Sequence, residues 1–385
     1  MKDRLEEVGG AAYLSHLVNV VPTSVHAEFF AQIVNRTATM RRLIQAASEI
    51  ATIGYNDAPD TEQALQQAEY LLFKVRNTHV TRDFVTIREV LDQYLEDTSN
   101  IEAMDQRVAP IPTGYTDIDN ALGRLQRGDL FILAARPALG KSTLAMNIAR
   151  NAAGQGAVVG IFSLEMSREQ LALRLLSAES EVDSYLMRLG LLGESATDRV
   201  MTGIGELSDL SIYMDDSPAQ AVLEMRAKLR RLHTDRGVDL VIVDYLQLIA
   251  GRESRGENRV QELSEITRQL KAIARDLNVP VIAISQLSRA IEQRPDHYPQ
   301  LSDLRESGSI EQDADVVMFV YREAYYLERK EPRPATVEHA EWQAKMNEVS
   351  NLAEIIIGKQ RHGPTGNIML EFEAMFTKFK DIQNN

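Results

Sequence analysis

A chain of 385 residues, 44% of them hydrophobic, carries enough apolar side chain for two or three domains with sizeable cores. It has no cysteine, which excludes disulfides, thiolate catalysis and Cys-ligated zinc, and no apolar run approaches the roughly 18 residues that cross a bilayer. Its 56 acidic and 42 basic side chains leave a formal net charge of −14, so the surface as a whole cannot coat nucleic acid; only a groove or pore with a local basic lining can hold it.

The first residues, Met1-Lys2-Asp3-Arg4-Leu5-Glu6-Glu7, are charged and lack the apolar core of a signal peptide, which fits the cytoplasm. From about Glu28 to Ile53, the residues Phe29, Ile33, Met40, Leu43, Ile44 and Ala47 recur at steps of three and four, the spacing of one helix face. The run breaks at Gly54-Tyr55-Asn56-Asp57-Ala58-Pro59. A second helix starts at Asp60 or Thr61 and runs to about Lys74, with Leu65, Ala68, Leu71 and Leu72 on one side. The two are expected to pack as a helical hairpin. A third, short helix is expected over 84–96, where Val85, Ile87, Val90, Leu91 and Leu95 are apolar. The segment from Thr98 to Pro112 is polar and holds two prolines, and reads as the approach to a new domain. The expected organisation is a helical N-terminal region over 1–80, a linker with its helix over 81–110, and a larger domain over 111–385.

From Tyr115 onward short apolar runs alternate with amphipathic helices, the pattern of an α/β domain whose mostly parallel sheet is covered by helices. The runs are Leu130–Ala135, Val158–Leu164, Leu240–Asp244, Val279–Ser285, Val316–Tyr321, Ala353–Gly358 and Asn367–Phe372. The last two are joined by His362-Gly363-Pro364-Thr365-Gly366, a hairpin turn. A charged excursion from Ala324 to Asn351 holds the only tryptophan, Trp342, and interrupts no motif; it reads as a surface insertion.

The chemistry concentrates at the end of the first run. Phe131–Ala135 leads into Arg136-Pro137-Ala138-Leu139-Gly140-Lys141-Ser142-Thr143, and Leu144, Ala145, Ile148 and Ala149 follow at helical spacing. That is strand, phosphate loop, helix. Backbone N–H groups of the loop and helix start can cradle the phosphates of ATP, Lys141 would neutralise the β- and γ-oxygens, and the Ser142 hydroxyl would hold Mg²⁺. The usual pattern begins with Gly, and Ala135 holds that place. A second motif, Val238-Asp239-Leu240-Val241-Ile242-Val243-Asp244-Tyr245, is a buried strand ending in an acid that can hold Mg²⁺ opposite the loop.

Four further features admit two readings each. Glu165 ends the strand Gly160–Glu165 at the edge where phosphate would sit, and can polarise the attacking water; alternatively it is an acid at the start of a helix, because Ser167-Arg168-Glu169-Gln170 looks like a capping box. Gln286, after the strand Val279–Ser285, can sense the γ-phosphate or simply bond to backbone. Lys359 and Arg361 share a strand face and can reach a neighbouring subunit's phosphate, or form a solvated edge pair. Two polar loops, Gly251–Arg259 and the stretch from Arg289 through Leu304–Ser309, follow sheet strands and can hold DNA or stay solvated.

Taken together, these motifs resemble the replicative DNA helicases of bacteria, the DnaB family. The resemblance spans about Leu5 to Phe379. It rests on Pro112-Thr113-Gly114-Tyr115-Thr116-Asp117-Ile118-Asp119, Ala135-Arg136-Pro137 with Gly140-Lys141-Ser142, Phe162-Ser163-Leu164-Glu165-Met166-Ser167, Asp244-Tyr245-Leu246-Gln247, Ser285-Gln286-Leu287-Ser288-Arg289, the block Leu304–Asp315, and Gly358–Pro364. It implies a RecA-like ATPase in a homohexameric ring that moves 5′→3′ on single-stranded DNA, unwinds forked DNA, and works with primase and a helicase loader near the nucleoid. By analogy Lys141, Ser142 and Asp244 hold Mg-ATP, Glu165 is the catalytic base, and Arg174 stacks on adenine. Gln286 couples the γ-phosphate to the DNA loops, and Lys359 and Arg361 act in trans. Arg252, Arg289, Arg305, Glu306 and Gly308 would line the pore, and the helix over 84–96 resembles the linker helix that docks on the adjacent subunit.

Family members usually begin with a globular helical head, and Met1 falls near its end, so most of the head is expected to be missing while the hairpin remains. That leaves two other readings: a different RecA-like ATPase, such as a recombinase or loader, and a headless variant that mainly recruits primase or a loader.

Overall fold

The computed structural model describes residues 27–55, single positions between 64 and 91, and residues 109–249 and 259–382. The chain divides into two units, Met1–Ile101 and Glu102–Asn385. In the first, α1 (Ala27–Tyr55) covers the expected 28–53 helix. The residues it buries are not those of the periodic apolar stripe. Ala46 is buried, and Arg42, Ile50 and Ile53 are half-buried, whereas Ile33, Met40, Leu43, Ile44 and Ala47 are exposed. Periodicity finds apolar stripes but cannot rank two of them on one helix. Positions 64, 67, 68, 71, 72 and 75 are helical, as expected of the second helix, and so are 87, 88 and 91 of the third. The start of the second helix and the flanks of the third lie outside the described residues.

In the second unit α2 (Thr116–Leu122) precedes β1 (Leu130–Ala135), and α3 (Lys141–Gly154) follows it. Next come β2 (Val159–Ser163), α4 (Arg168–Ser180), α5 (Ser184–Leu189), α6 (Glu194–Ser208), β3 (Ile212–Asp215), α7 (Val222–Arg236) and β4 (Leu240–Asp244). Then follow α8 (Arg259–Leu277), β5 (Val281–Gln286), α9 (Gly308–Asp313), β6 (Val316–Tyr321), α10 (Glu323–Glu328), α11 (Val337–Val349), β7 (Leu352–Gln360), β8 (Gly366–Glu373) and β9 (Lys378–Asp381).

The strands form one sheet of order β3-β2-β4-β5-β1-β6-β7-β8-β9. The strands from β3 to β6 pair in parallel, and β6 to β9 pair antiparallel. The central strands are buried on both faces, which is why they read as continuous apolar runs rather than alternating ones. Phe131, Leu133 and Ala135 share one core with Leu144 and Ile148 of α3, and Leu130, Ile132 and Ala134 share the other with Leu263, Leu270 and Ile273 of α8. All seven strands expected from the sequence are present. β3 and β9 are additional; each has four residues, and only Phe379 of β9 is fully buried among them.

The Ala324–Asn351 excursion is helical. α11 buries none of its residues, as a surface insertion should, while α10 anchors it through buried Ala324 and Tyr326. Trp342 donates its ring N–H to the Leu327 carbonyl at 2.9 Å. A β-bulge interrupts β7: Met318 faces Ile357 but Val317 faces Lys359, so Gly358 is the extra residue. A Cβ on Gly358 would lie 2.5 Å from the Phe319 ring, so the bulge depends on glycine. Among the described residues no helix is long and apolar enough to cross a membrane.

Candidate nucleotide site and basic edge

Parallel strands β1, β2, β4 and β5 end at one edge of the sheet, and the phosphate-loop residues gather there. Ala135 is the last residue of β1, fully buried and in register with Gln286 of β5. Its backbone is ordinary strand and its methyl group fills core, so glycine is not needed at this position. Gly140 is different. Its φ is 102°, and a Cβ there would lie 3.0 Å from the Phe379 ring. Both the left-handed backbone and the close approach of β9 require glycine. Ala138 also has positive φ, 66°. Lys141, Ser142 and Thr143 are buried in the first turn of α3, whose N-terminal amides have no carbonyl within the helix to bond. That turn contains no acidic residue, so the positive end of the helix is free to attract an anion.

Lys141 lies between two carboxylates. Its Nζ is 3.6 Å from Asp244 Oδ1 and 3.5 Å from Glu165 Oε2, and 4.6 Å above the Tyr245 ring. Asp244, the last residue of β4, is fully buried, and neither of its oxygens accepts a hydrogen bond of normal geometry. Burial pushes its carboxyl above the ordinary range, while the Lys141 ammonium and the Ser142 hydroxyl pull it back. Two orphaned oxygens beside a hydroxyl are a hard-donor set that suits Mg²⁺, which is held by few protein ligands, water and phosphate oxygens. Among the described residues there is no cluster of three or more His, Asp or Glu that would form an all-protein cage.

Glu165 lies two residues beyond β2 and its side chain is half-exposed. It is not the cap of α4. Ser167 accepts from the Gln170 backbone, and the Gln170 side chain accepts from the Ser167 backbone, so the capping box closes without it. Ser163 fixes the turn by donating to the Met166 carbonyl at 2.6 Å. Gln286 ends β5 half-buried beside β1. Its backbone is held by Gln247, which donates to the Gln286 carbonyl at 3.3 Å and to Ser285 Oγ at 3.0 Å, and accepts from the Gln286 N–H at 3.3 Å. The sequence reading assigned Gln247 no role. Its signal was its place three residues after Asp244, on the segment leading to the first polar loop.

Arg136 does not direct its guanidinium to the loop. It is buried and donates to the Glu292 carboxylate at 2.6 Å and to the Leu287 carbonyl at 2.9 Å, tying the loop to the segment after β5. Only its backbone is available to a phosphate. Pro137 and Ala138 are exposed and Leu139 is buried. Arg174 is half-buried on α4, where its carbonyl accepts from Thr377 at 3.2 Å, beside the β8–β9 connection.

Lys359 and Arg361 stand at the opposite edge of the sheet. Lys359 donates to the carbonyls of Glu311 and, at 2.8 Å, Ala314. Arg361 donates to the Gln312 carbonyl at 2.8 Å and lies 3.3 Å from Asp315 Oδ1. Asp315 precedes β6 and accepts the N–H of Leu130, where β1 starts. The phosphate loop follows the other end of that six-residue strand, roughly 20 Å away at about 3.3 Å per residue. The basic pair therefore cannot reach its own chain's phosphate loop. Burial, with the neighbouring Arg361 charge, holds the Lys359 ammonium below its usual value.

Of the DNA candidates, Arg252 lies outside the described residues. Arg289 is exposed and opens a short 3₁₀ turn, Arg289–Gln293. Arg305 and Glu306 belong to a second, Leu301–Ser307, and Gly308 begins α9. The stretch expected to be a polar loop is thus largely helical turns, braced by Arg294, which binds Asp303. β4 and β5 are parallel neighbours, so the segments that follow them leave on the same edge, as expected.

A lysine held between strand-end carboxylates, above a mostly parallel sheet with an antiparallel extension, defines a RecA-like P-loop ATPase. Residues 110–381 match the family described as DnaB-like helicase C terminal domain. The chain is 44% identical over 382 residues to "Replicative DNA helicase DnaC" of Bacillus subtilis (strain 168), covering 99% of this chain and 80% of that protein. It is 42% identical over 382 residues to "Replicative DNA helicase DnaB" of Geobacillus stearothermophilus, with the same coverage. A solved DnaB-like replicative helicase, described with its interactions with primase, superposes with a TM-score of 0.71 at 30% identity, covering 100% of this chain and 86% of that one. The chain belongs to the DnaB family of replicative helicases.

Proposed function

We propose that this protein is an ATP-driven replicative DNA helicase that works as a homohexameric ring, moves 5′→3′ on single-stranded DNA and opens forked duplex. The observation that carries the ring is the separation of Lys359 and Arg361 from their own phosphate loop. A complete site needs the loop of one copy and the basic edge of the next. Exposed apolar side chains support the assembly. Ile87 and Leu91 of the third helix are 73% and 52% exposed, and Tyr185, Leu186, Leu189 and Leu191 form an exposed group on α5 and its end. Docking that helix of one copy on this group in the next would cover both.

At the site, the loop amides and Lys141 hold the β- and γ-phosphates of ATP. Ser142 and Asp244 would hold Mg²⁺, which would supply charge neutralisation for the phosphate oxygens. Glu165, half-exposed and 3.5 Å from Lys141, takes a proton from water as the water oxygen bonds to the γ-phosphorus and the β–γ bridge bond breaks, releasing ADP and phosphate. Arg174 stacks on the adenine. Arg361 of the adjacent subunit stabilises the departing charge, with Lys359 beside it. Gln286 senses the γ-phosphate, and Gln247 links it to the segment that carries Arg252. Arg252, Arg289, Arg305, Glu306 and Gly308 follow the phosphate backbone of one strand inside the ring, so binding is steep in salt and indifferent to base sequence. Primase and a loader are the expected partners, the first supported by the solved relative described with primase. The work is done in the cytoplasm, at the nucleoid.

Unwinding of forked DNA by the purified chain with ATP and Mg²⁺ tests this reading. Strand separation that requires a free 5′ tail and stops with Lys141→Ala supports it. ATP hydrolysis without unwinding, on closed rings, would leave only the recruiting module.

A further inference from the structure

Asp315 is a buried carboxylate that joins β1, α8 and the end of β7. It is 2% exposed and sits just before β6. One oxygen accepts the Leu130 N–H at 2.8 Å and bonds to Lys271 of α8. Lys271 in turn donates to the Gly128 carbonyl at 2.8 Å and lies 3.2 Å from Asp129 Oδ1. The second oxygen is 3.3 Å from a terminal nitrogen of Arg361. The Arg361 guanidinium therefore meets a carboxylate that β1 and α8 already fix in place. Its other terminal nitrogen donates to the Gln312 carbonyl in the last turn of α9, where a cation is favoured by the helix dipole.

A guanidinium has five N–H donors in a planar fork. Arg361 donates to Gln312 and faces the Asp315 carboxylate as an ion pair at 3.3 Å, while its side chain stays 41% exposed. The fork therefore keeps donors for an anion arriving from outside the chain. We infer that Asp315 is a positioning residue for the in-trans arginine: it holds the Arg361 fork on one side so that the free side meets a neighbouring subunit's phosphate in one orientation. This rests on the in-trans reading above and adds to it the group that aims the arginine. Lys359, bonded to the Glu311 and Ala314 carbonyls, is set by the same segment. That segment begins at Gly308, so the arginine's dock and a candidate DNA-binding residue occupy the two ends of one six-residue helix.

The test is Asp315→Asn in assembled rings, alone and mixed with two other variants. The amide keeps an acceptor for the Leu130 N–H but loses the charge that holds Arg361. The ATP-analogue affinity should stay near the wild-type value, and kcat should fall about 10- to 100-fold, the cost of misplacing a catalytic group by about 1 Å. Rings mixing Asp315→Asn with Lys141→Ala should regain activity, because the first contributes a good loop and the second a good arginine. Rings mixing Asp315→Asn with Arg361→Ala should not, because both lack a working arginine. A near-wild-type kcat overturns the assignment, as does rescue by Arg361→Ala or rescue by neither partner. If the reference pair, Arg361→Ala with Lys141→Ala, itself fails to recover, the in-trans reading has failed rather than the role of Asp315. Arg361→Lys gives a second arm should Asp315→Asn not fold. An ammonium is a point charge on a shorter stem without the planar fork, so it cannot face Asp315 and Gln312 on one side and a phosphate on the other as the guanidinium does. This variant should be as slow as Arg361→Ala, and a wild-type rate would overturn the assignment.

Discussion

Lys141 Nζ lies 3.6 Å from the buried carboxylate of Asp244, and among the described residues no other cation pairs with that carboxylate. The pair sits on two different elements, the first turn of α3 and the end of β4, and it prepares the cation at the place where the β- and γ-phosphates would lie. Lys141→Ala should therefore abolish ATP hydrolysis and DNA unwinding while circular dichroism shows the fold retained. Near-normal turnover would mean that the phosphate loop is misassigned.

Glu165→Gln separates catalysis from architecture. The capping box of α4 closes through Ser167 and Gln170, so the substitution should not loosen that helix. ATP binding should persist, and single-turnover hydrolysis should fall by about 10²- to 10⁴-fold, the usual worth of a positioned base. Equal losses in binding and hydrolysis would instead assign Glu165 a structural role.

Gly140→Ala tests the shape of the loop. The added methyl would meet the Phe379 ring at 3.0 Å, and the backbone would remain at φ 102°. A left-handed conformation costs a non-glycine residue about 1–2 kcal/mol. Nucleotide affinity should drop about tenfold by titration calorimetry. Unchanged affinity would show that β9 does not brace the loop.

Asp215 supplies a pH signature away from the nucleotide. Burial alone would raise its carboxyl, but Lys228 at 2.6 Å and the Ser217 hydroxyl and N–H outweigh that and hold it at about 2, below its ordinary 3.8. A carboxyl lowered on folding contributes stability that is present above its unfolded value and is lost as pH falls through the folded one. The melting midpoint should fall between pH 3.8 and about 2, and Asp215→Asn should lower the midpoint at neutral pH while flattening that part of the profile. Parallel profiles for the two proteins would contradict the assignment.

Much of the site was legible because its signals are local. Leu130–Ala135 followed by Gly140-Lys141-Ser142 is one continuous stretch, and Asp244 closes one apolar run. What was missed depends on residues far apart in the chain. β9 is a strand because it pairs with β8 and packs Phe379 against Gly140, and its charged alternation alone does not announce that. β3 is half-buried at the sheet's end, so its four residues carry little hydrophobic signal. Arg136 reads as part of the loop, yet its partner Glu292 is 156 positions away. The apolar stripe of α1 marks a helix face, but its exposure does not follow from spacing, because Ala46, Ile50 and Ile53 are apolar as well. The basic pair at Lys359 and Arg361 was visible, but not its distance from its own loop, since that follows from the order of strands in the sheet.

The central claim is that two copies share each nucleotide site, and mixing tests it most directly. Arg361→Ala subunits keep a sound phosphate loop, and Lys141→Ala subunits keep a sound arginine. Each alone should be inactive, the first by loss of a trans arginine, worth on the order of 10³–10⁵ in rate. Rings assembled from both contain some sites that pair the sound loop with the sound arginine. Their ATPase rate, measured on assemblies whose mixed mass is verified, should rise well above either parent. If verified mixed rings remain as inactive as the parents, the shared site is contradicted and the basic pair belongs to a solvated edge.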